Sequence, residues 1–387
     1  MSAGSLGTGE DARAAGSDAD LHPPARGFTI RRMLFGLAER LLPVLQLTRM
    51  ALVFTAISNS FCCYLLSARR AAGEGSVLPF IDSRQMVLIA LTSVGLYGFG
   101  MSLNDIIDHR RDRQLAAHRP LPSGRIALTT AHIICGTLIA LAMLSAAAYS
   151  LTAHHRGPTH AAPWMSLALA GGTALLIAFY DLAGKYLVGA GLLTLGLIRF
   201  FHSLIPAPQI PLLWHPLLLF THVAIVSTVC YLWEEKRPAL SPIHWISVIG
   251  GVSLIVLSLV GITLFSHARY GQLDSPLPYP LVLPLTFVGV FLLIGWHIRR
   301  TSSTRRDAGQ TLMLSGLLWL IVYDSAFVAG YVGLLYGAAL LALLPIAYLA
   351  VLLMRWWSRL MLISQQPQFR RIPTALEASR NQRPPEP

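Results

Sequence analysis

Charge is scarce in this sequence: Asp, Glu, Lys and Arg supply 12% of its 387 residues, about half the share of a soluble globular domain. Hydrophobic residues make up 54%, and the mean hydropathy is +0.57. A water-soluble enzyme or binding module with a polar shell is excluded. Cysteine is also rare. Cys62, Cys63, Cys135 and Cys230 all lie in apolar stretches without the spacing of a metal-binding knuckle, which predicts a role in helix packing. The first thirty residues lack both a basic leader and an apolar core segment, so they do not read as a signal peptide. No short repeat recurs along the chain.

In place of these the chain has apolar runs about 20 residues long, each enough to cross a bilayer as a helix. They fall near 43–66, 84–104, 126–151, 163–183, 187–206, 213–232, 243–266, 277–297, 311–329 and 333–355. Ten spans are expected, or nine if "VYDSAFVAGYVG" is a kink in one long helix. The composition predicts an all-α polytopic transmembrane bundle over 31–362, flanked by disordered cytoplasmic tails at 1–30 and 363–387. The formal net charge of +12 taken alone fits a nucleic-acid partner, but placement argues otherwise. With a cytoplasmic N-terminus, twenty-three of the thirty Lys and Arg fall on the cytoplasmic side and five on the other, leaving Arg49 and Arg199 inside spans. That asymmetry is the positive-inside pattern. It predicts a multi-pass protein of the cytoplasmic (inner) membrane with both ends inside and no nucleic-acid partner.

Against this apolar background, "NDIIDHRRDRQLAAHRPLPSGRI" (104–126) holds three of the eighteen acidic residues within eight positions. Asn104, Asp108 and Asp112 recur at i, i+4 and i+8, which stacks them along one helical stripe flanked by Asp105. Like charges at this spacing repel by roughly 0.2–0.5 kcal/mol even in solvent. The stripe needs compensation, either from Arg110, Arg111 and Arg113 or from a divalent cation. Mg²⁺ takes oxygen ligands and is usually held by one or two carboxylates together with substrate phosphates.

The pattern N-D-x-x-D-x-x-x-D followed by R-P-L-P-S-G resembles the first aspartate-rich motif and the following loop of the UbiA superfamily of intramembrane prenyltransferases. The match runs through Asn104, Asp105, Asp108 and Asp112 and from Arg119 to Gly124, with His118 in place of the usual Asn. Two weaker stretches are similar to the family in the same order: "LTRMALVFTAISN" with Arg49, and "FYDLAGKYLVGAGLLTLGLIR" with Tyr180 and Lys185. The resemblance implies a helical bundle around a central cavity open to lipid. It implies Mg²⁺ gripping the diphosphate of a polyprenyl donor, and transfer of the prenyl group to a lipophilic, often aromatic, acceptor. Asp108, Asp112 and Lys185 are then the catalytic candidates, with Asn104, Asp108 and Asp112 as metal ligands. Arg49, Arg119, Tyr180, Lys185 and Arg199 are the diphosphate-binding candidates.

One departure weakens this picture. Where the family carries a second D-x-x-x-D, this chain reads "YLWEEKRP". Glu234 and Glu235 are adjacent and so point about 100° apart on a helix. One of them can serve as a metal ligand, or Lys236 or Arg237 can replace the second metal's charge, or the segment is an ordinary charged helix end. The chain is similar in this to a divergent bacterial branch of the superfamily with Arg or Lys and Glu at that position. A non-catalytic or accessory prenyl-lipid-binding protein is the alternative. Asp324 is the one acid deep in a predicted span, where a functional role is the default expectation. It can pair with Arg49 or Arg199, face the cavity, or pack as a protonated acid.

Overall fold

The computed structural model describes residues 41–72, 81–117, 119–154, 164–208, 213–236, 238–270 and 279–365. The chain divides into two units, Met1–Leu42 and Pro43–Pro387. Only Leu41 and Leu42 of the first unit are among the described residues. The tails expected at 1–30 and 363–387 lie outside them, except for 363–365, which continue the last helix. His118 and Arg237 also lie outside them.

The described part of the second unit is helical, as its composition predicts: α1 (Val53–Ala72), α2 (Ser83–Leu115), α3 (Leu128–His154), α4 (Met165–Leu182), α5 (Val188–Leu204), α6 (Trp214–Trp233), α7 (Pro242–Tyr270), α8 (Val282–Thr301), α9 (Arg305–Tyr331), α10 (Leu334–Leu341) and α11 (Leu343–Gln365). Among the described residues, nine segments are long and apolar enough to cross a membrane, with α10 and α11 counting as one, and α5 is a shorter apolar helix. Together they account for the ten predicted runs. The weak separator in "VYDSAFVAGYVG" is a true break. Gly333 adopts φ 146° and its N–H caps Val328 O at 2.9 Å, a backbone conformation that is comfortable only without a Cβ.

Helices that are apolar all round suit either a protein core or lipid, and burial separates the two. α9, α6 and α1 are 67%, 61% and 56% buried across their apolar windows, whereas α7 is only 6% buried. The first three form the interior and α7 faces outward. An apolar cavity of about 290 Å³ opens between α6 and α7, lined by Ile225, Thr228, Leu232, Trp245 and Ile249.

α2 positions the acidic stretch by its length. Its 33 residues span about 50 Å, against about 30 Å of hydrocarbon. Once about twenty residues have crossed, the last three turns, which carry Asp105 to Arg113, stand at the membrane boundary. α2 is fixed there by close packing on α3. A Cβ at Gly95 would lie 2.6 Å from Leu138 O and 2.7 Å from Ala142 N, so the two backbones approach as small residues allow in membrane helix pairs.

Candidate functional site

The C-terminal turns of α2 present Asp105, Asp108 and Asp112 inward, 5%, 4% and 3% exposed. Asp105, expected beside the stripe, is as buried as its neighbours, while Asn104 is only partly buried. Three carboxylates spaced i, i+3 and i+7 share one helical face. Charge of this density at a boundary with hydrocarbon requires cations, and the chain folds back to supply them.

Lys185 arrives from the short 3₁₀ turn Gly184–Tyr186, which follows α4. Its Nζ donates to Asp108 Oδ1 at 2.7 Å and, more weakly, to Asn104 Oδ1 at 3.5 Å. Arg111 donates to the other Asp108 oxygen at 2.9 Å. Arg119 bonds Asp112 Oδ2 and lies 3.8 Å from Asp105, and Arg49 donates to Asp105 at 3.4 Å.

The R-P-L-P-S-G-R-I loop explains how Arg119 reaches back. Leu121 and Ile126 bury against Leu47 and Ala131. Ser123 N–H bonds Arg119 O and Gly124 N–H bonds Leu121 O, with Gly124 at φ 75°. The loop is thus a pinned reversal that delivers a guanidinium to the acidic face. Arg49 is held differently: it sits at φ 46°, ψ 39° ahead of the turn Met50–Leu52. A left-handed non-glycine residue costs of order 1 kcal/mol and is often found at functional sites.

Asp181 was not singled out from the sequence, yet it belongs here. It is 3% exposed at the end of α4, where it feels the charges of Lys185, Asp108, Arg49 and Asp105. Its side chain makes no hydrogen bond or ion pair with any other described residue. The readable signal was the i, i+4 pair Asp181 and Lys185 in "YDLAGK". Tyr180 precedes it, partly buried, within electrostatic reach of Asp108, Arg49 and Arg111.

The remaining candidates lie elsewhere. Arg199 on α5 donates to Asn59 Oδ1 and Thr55 Oγ1 on α1, both at 3.2 Å, and stacks toward Tyr97. Asp324 bonds neither Arg49 nor Arg199. It accepts from Ser58, Asn59 and His215, and Asn59 bridges it to Arg199.

Glu234 pairs with Lys236 at 3.2 Å and packs its stem where Gly309 leaves room on α9. Glu235 is exposed at φ 52°. Lys236 N–H bonds Tyr231 O and Glu235 N–H bonds Leu232 O, the reversal that commonly ends a helix, with Glu235 in the place usually taken by Gly. Among the described residues, no hydrogen bond or ion pair joins either glutamate to Asp105, Asp108, Asp112 or Asp181.

The donor set at the α2 face is made of hard oxygens: carboxylates of Asp108, Asp112, Asp105 and Asp181 with the Asn104 carbonyl. A buried carboxylate with no hydrogen-bond partner among the described residues, Asp181, is what a site for an oxygen-seeking dication would contain. The residues present fit Mg²⁺, and the surrounding Lys185, Arg119 and Arg49 fit a polyanion beside it.

No family model and no curated protein matches the chain. It is similar to several solved structures. A digeranylgeranylglyceryl phosphate synthase studied in membranes is 20% identical at a TM-score of 0.49, covering 76% of this chain and 99% of that one. A UbiA homolog from Archaeoglobus fulgidus is 15% identical at a TM-score of 0.49, covering 78% and 99%. The same homolog bound to GPP and Mg²⁺ is 15% identical at a TM-score of 0.38, covering 78% and 99%. Each likeness falls below a TM-score of 0.5, so the functional reading rests on the chain's own residues.

Proposed function

We propose that the chain is an integral-membrane prenyltransferase that moves a prenyl group from a polyprenyl diphosphate to a lipophilic acceptor. The observation that carries this reading is the buried carboxylate face of α2, with Asp181 beside it and Lys185, Arg119 and Arg49 around it. Asp108, Asp112 and Asp181, with Asn104, would hold Mg²⁺, which supplies Lewis-acid stabilisation of the leaving diphosphate.

The chain's own cations do the rest. Lys185 and Arg119 are each bonded to a carboxylate that the dication would also use. Each keeps N–H groups beyond that bond, and these would meet diphosphate oxygens beside the dication as negative charge builds on the leaving group. As the allylic C–O bond breaks, its electron pair goes to the diphosphate. The acceptor's nucleophilic atom then bonds the prenyl carbon and loses a proton. The stripe lies at the membrane boundary, so the diphosphate stays at the aqueous edge while the prenyl tail runs into the apolar interior. The charge asymmetry of the loops supports a site on the cytoplasmic side of the inner membrane, with both termini inside.

One observation favours a second reading, that of an accessory protein that binds prenyl lipid without turnover. Glu234 and Glu235 end α6 rather than facing the acids. Incubation of purified protein with farnesyl or geranylgeranyl diphosphate, Mg²⁺ and candidate lipophilic acceptors separates the two. Mg²⁺-dependent diphosphate release that disappears in Asp108→Ala supports transfer, whereas tight binding without release supports the accessory role.

A further inference from the structure

We propose that Arg199, held by Thr55 and Asn59 and facing Tyr97, is the recognition residue for the acceptor, and that it takes a carbonyl-type oxygen, ketone or carboxylate, one ring away from the atom that is prenylated. Assigning this oxygen to the acceptor rests on the prenyl-transfer reading above; the oxygen site itself does not.

The residues come from three helices: Thr55 and Asn59 from α1, Tyr97 from α2 and Arg199 from α5. One terminal nitrogen of Arg199 donates to Asn59 Oδ1 and the other to Thr55 Oγ1, each at 3.2 Å. Both partners are themselves fixed. The Thr55 hydroxyl donates to Leu52 O at 2.9 Å, and the Asn59 amide donates to Asp324 Oδ2 at 2.8 Å. The plane of the guanidinium is thus set by the fold. Both of its partners are neutral oxygens, and among the described residues these two bonds are all it makes. N–H donors of the fork remain for a ligand.

Arg199 and Tyr97 are enclosed by protein, yet each keeps part of its surface open, as side chains that line internal space do. The guanidinium lies 6.0 Å from the centre of the Tyr97 ring. Tyr97, Met101, Asn104 and Asp108 recur at i, i+4, i+7 and i+11 along one face of α2, and the first three are partly open. Tyr97 is within electrostatic reach of both Arg199 and Arg49, and Arg49 bonds Asp105 at the acidic face. Seven residues separate Tyr97 from Asn104, about 10 Å along the helix.

That distance sorts the ligands. A cation on the wall of an intramembrane space is a binding residue by default, and the prenyl tail of the donor has only hydrocarbon to offer it. The acceptor is the reactant that brings oxygen. With the diphosphate at the carboxylates, an acceptor one ring long reaches from Arg199 to the prenyl carbon beside the leaving group. A planar carbonyl or carboxylate suits the planar fork. A ketone leaves Arg199 and Asp324, bridged by Asn59, as they stand, whereas a carboxylate competes with Asp324 for the cation.

The test is isothermal titration calorimetry of the purified full chain with three phenols of similar size: 4-hydroxyacetophenone, 4-hydroxybenzoate and 4-ethylphenol. The ketone or the acid is expected to bind more tightly than 4-ethylphenol by about tenfold or more, and whichever of the two leads identifies the oxygen as neutral or ionised. Arg199→Lys keeps the charge but loses the planar fork. It is expected to erase that preference and to leave the Mg²⁺-dependent affinity for farnesyl diphosphate unchanged. Equal binding of the three phenols, no binding of any, or a preference that survives Arg199→Lys overturns the proposal. A fall in farnesyl diphosphate affinity in that variant also overturns it, since Arg199 would then serve the donor. If Arg199→Lys fails to fold, Tyr97→Leu removes the ring beside the fork and is expected to reduce the preference by about threefold; an unchanged preference there counts against the site. Diphosphate release without the phenol preference refutes this site and leaves prenyl transfer standing, and the preference without release does the reverse.

Discussion

Replacing Lys185 with Gln removes the cation nearest Asp108 and separates two roles that the structure superimposes. Nζ sits 2.7 Å from Asp108 Oδ1, and the two side chains are 11% and 5% exposed. At an effective dielectric of about 20 such a pair attracts by about 6 kcal/mol, most of which is offset by desolvation. Arg111 still holds the other Asp108 oxygen, so the loss of stability is about 1–2 kcal/mol. The functional loss is larger. Removing one preorganised donor from a developing anion costs about 2.7–4 kcal/mol, a fall of about 10²–10³ in kcat. The Mg²⁺ requirement moves the opposite way, because Lys185 competes with the metal for Asp108 and repels it. Half-saturating Mg²⁺ is expected to stay the same or fall. The assay is diphosphate release from geranylgeranyl diphosphate across a Mg²⁺ titration. If Lys185→Gln instead needs more Mg²⁺ and recovers full kcat when saturated, Lys185 serves to hold Asp108 and does not meet the diphosphate.

Glu235→Gly relieves a left-handed backbone at the end of α6 and should stabilise the protein by about 0.5–1 kcal/mol, read as a higher Tm in detergent; a fall in Tm would show that the carboxylate has a partner. Asp324→Ala strands Ser58, Asn59 and His215 and leaves Arg199 without its counter-charge, for a loss of about 3–5 kcal/mol, whereas the shape-preserving Asp324→Asn should cost less than half of that in the same denaturation measurement. Gly95→Ala drives a methyl into the α3 backbone at Leu138 and Ala142 and should lower stability by about 1–3 kcal/mol, with the Mg²⁺-dependent activity falling in parallel as α2 shifts.

The helices and the acidic face were legible because both are local. Apolar run length and the i, i+4 spacing of Asn104, Asp108 and Asp112 need no knowledge of the fold. The R-P-L-P-S-G loop was readable only through its likeness to the family's motif, and the reversal that brings Arg119 back to the acidic face came from the structure. Asp181 was hidden by proximity to Tyr180 and Lys185, although its spacing to Lys185 is plain in the sequence. The surroundings of Glu235 were not legible, because the left-handed reversal that ends α6 normally announces itself with glycine. The buried pairing of Asp324 with His215 was beyond reach altogether, since the two are 109 positions apart.

If the α2 carboxylates hold a divalent cation against a prenyl diphosphate, metal and phosphorus must be neighbours. Replacing Mg²⁺ with Mn²⁺ and recording electron–nuclear double resonance of the protein with farnesyl diphosphate bound reads that proximity without turnover. The expected spectrum shows ³¹P coupling to a bound Mn²⁺ that vanishes in Asp108→Ala and Asp112→Ala. Mn²⁺ that binds without ³¹P coupling, or coupling that survives both substitutions, would contradict the assignment.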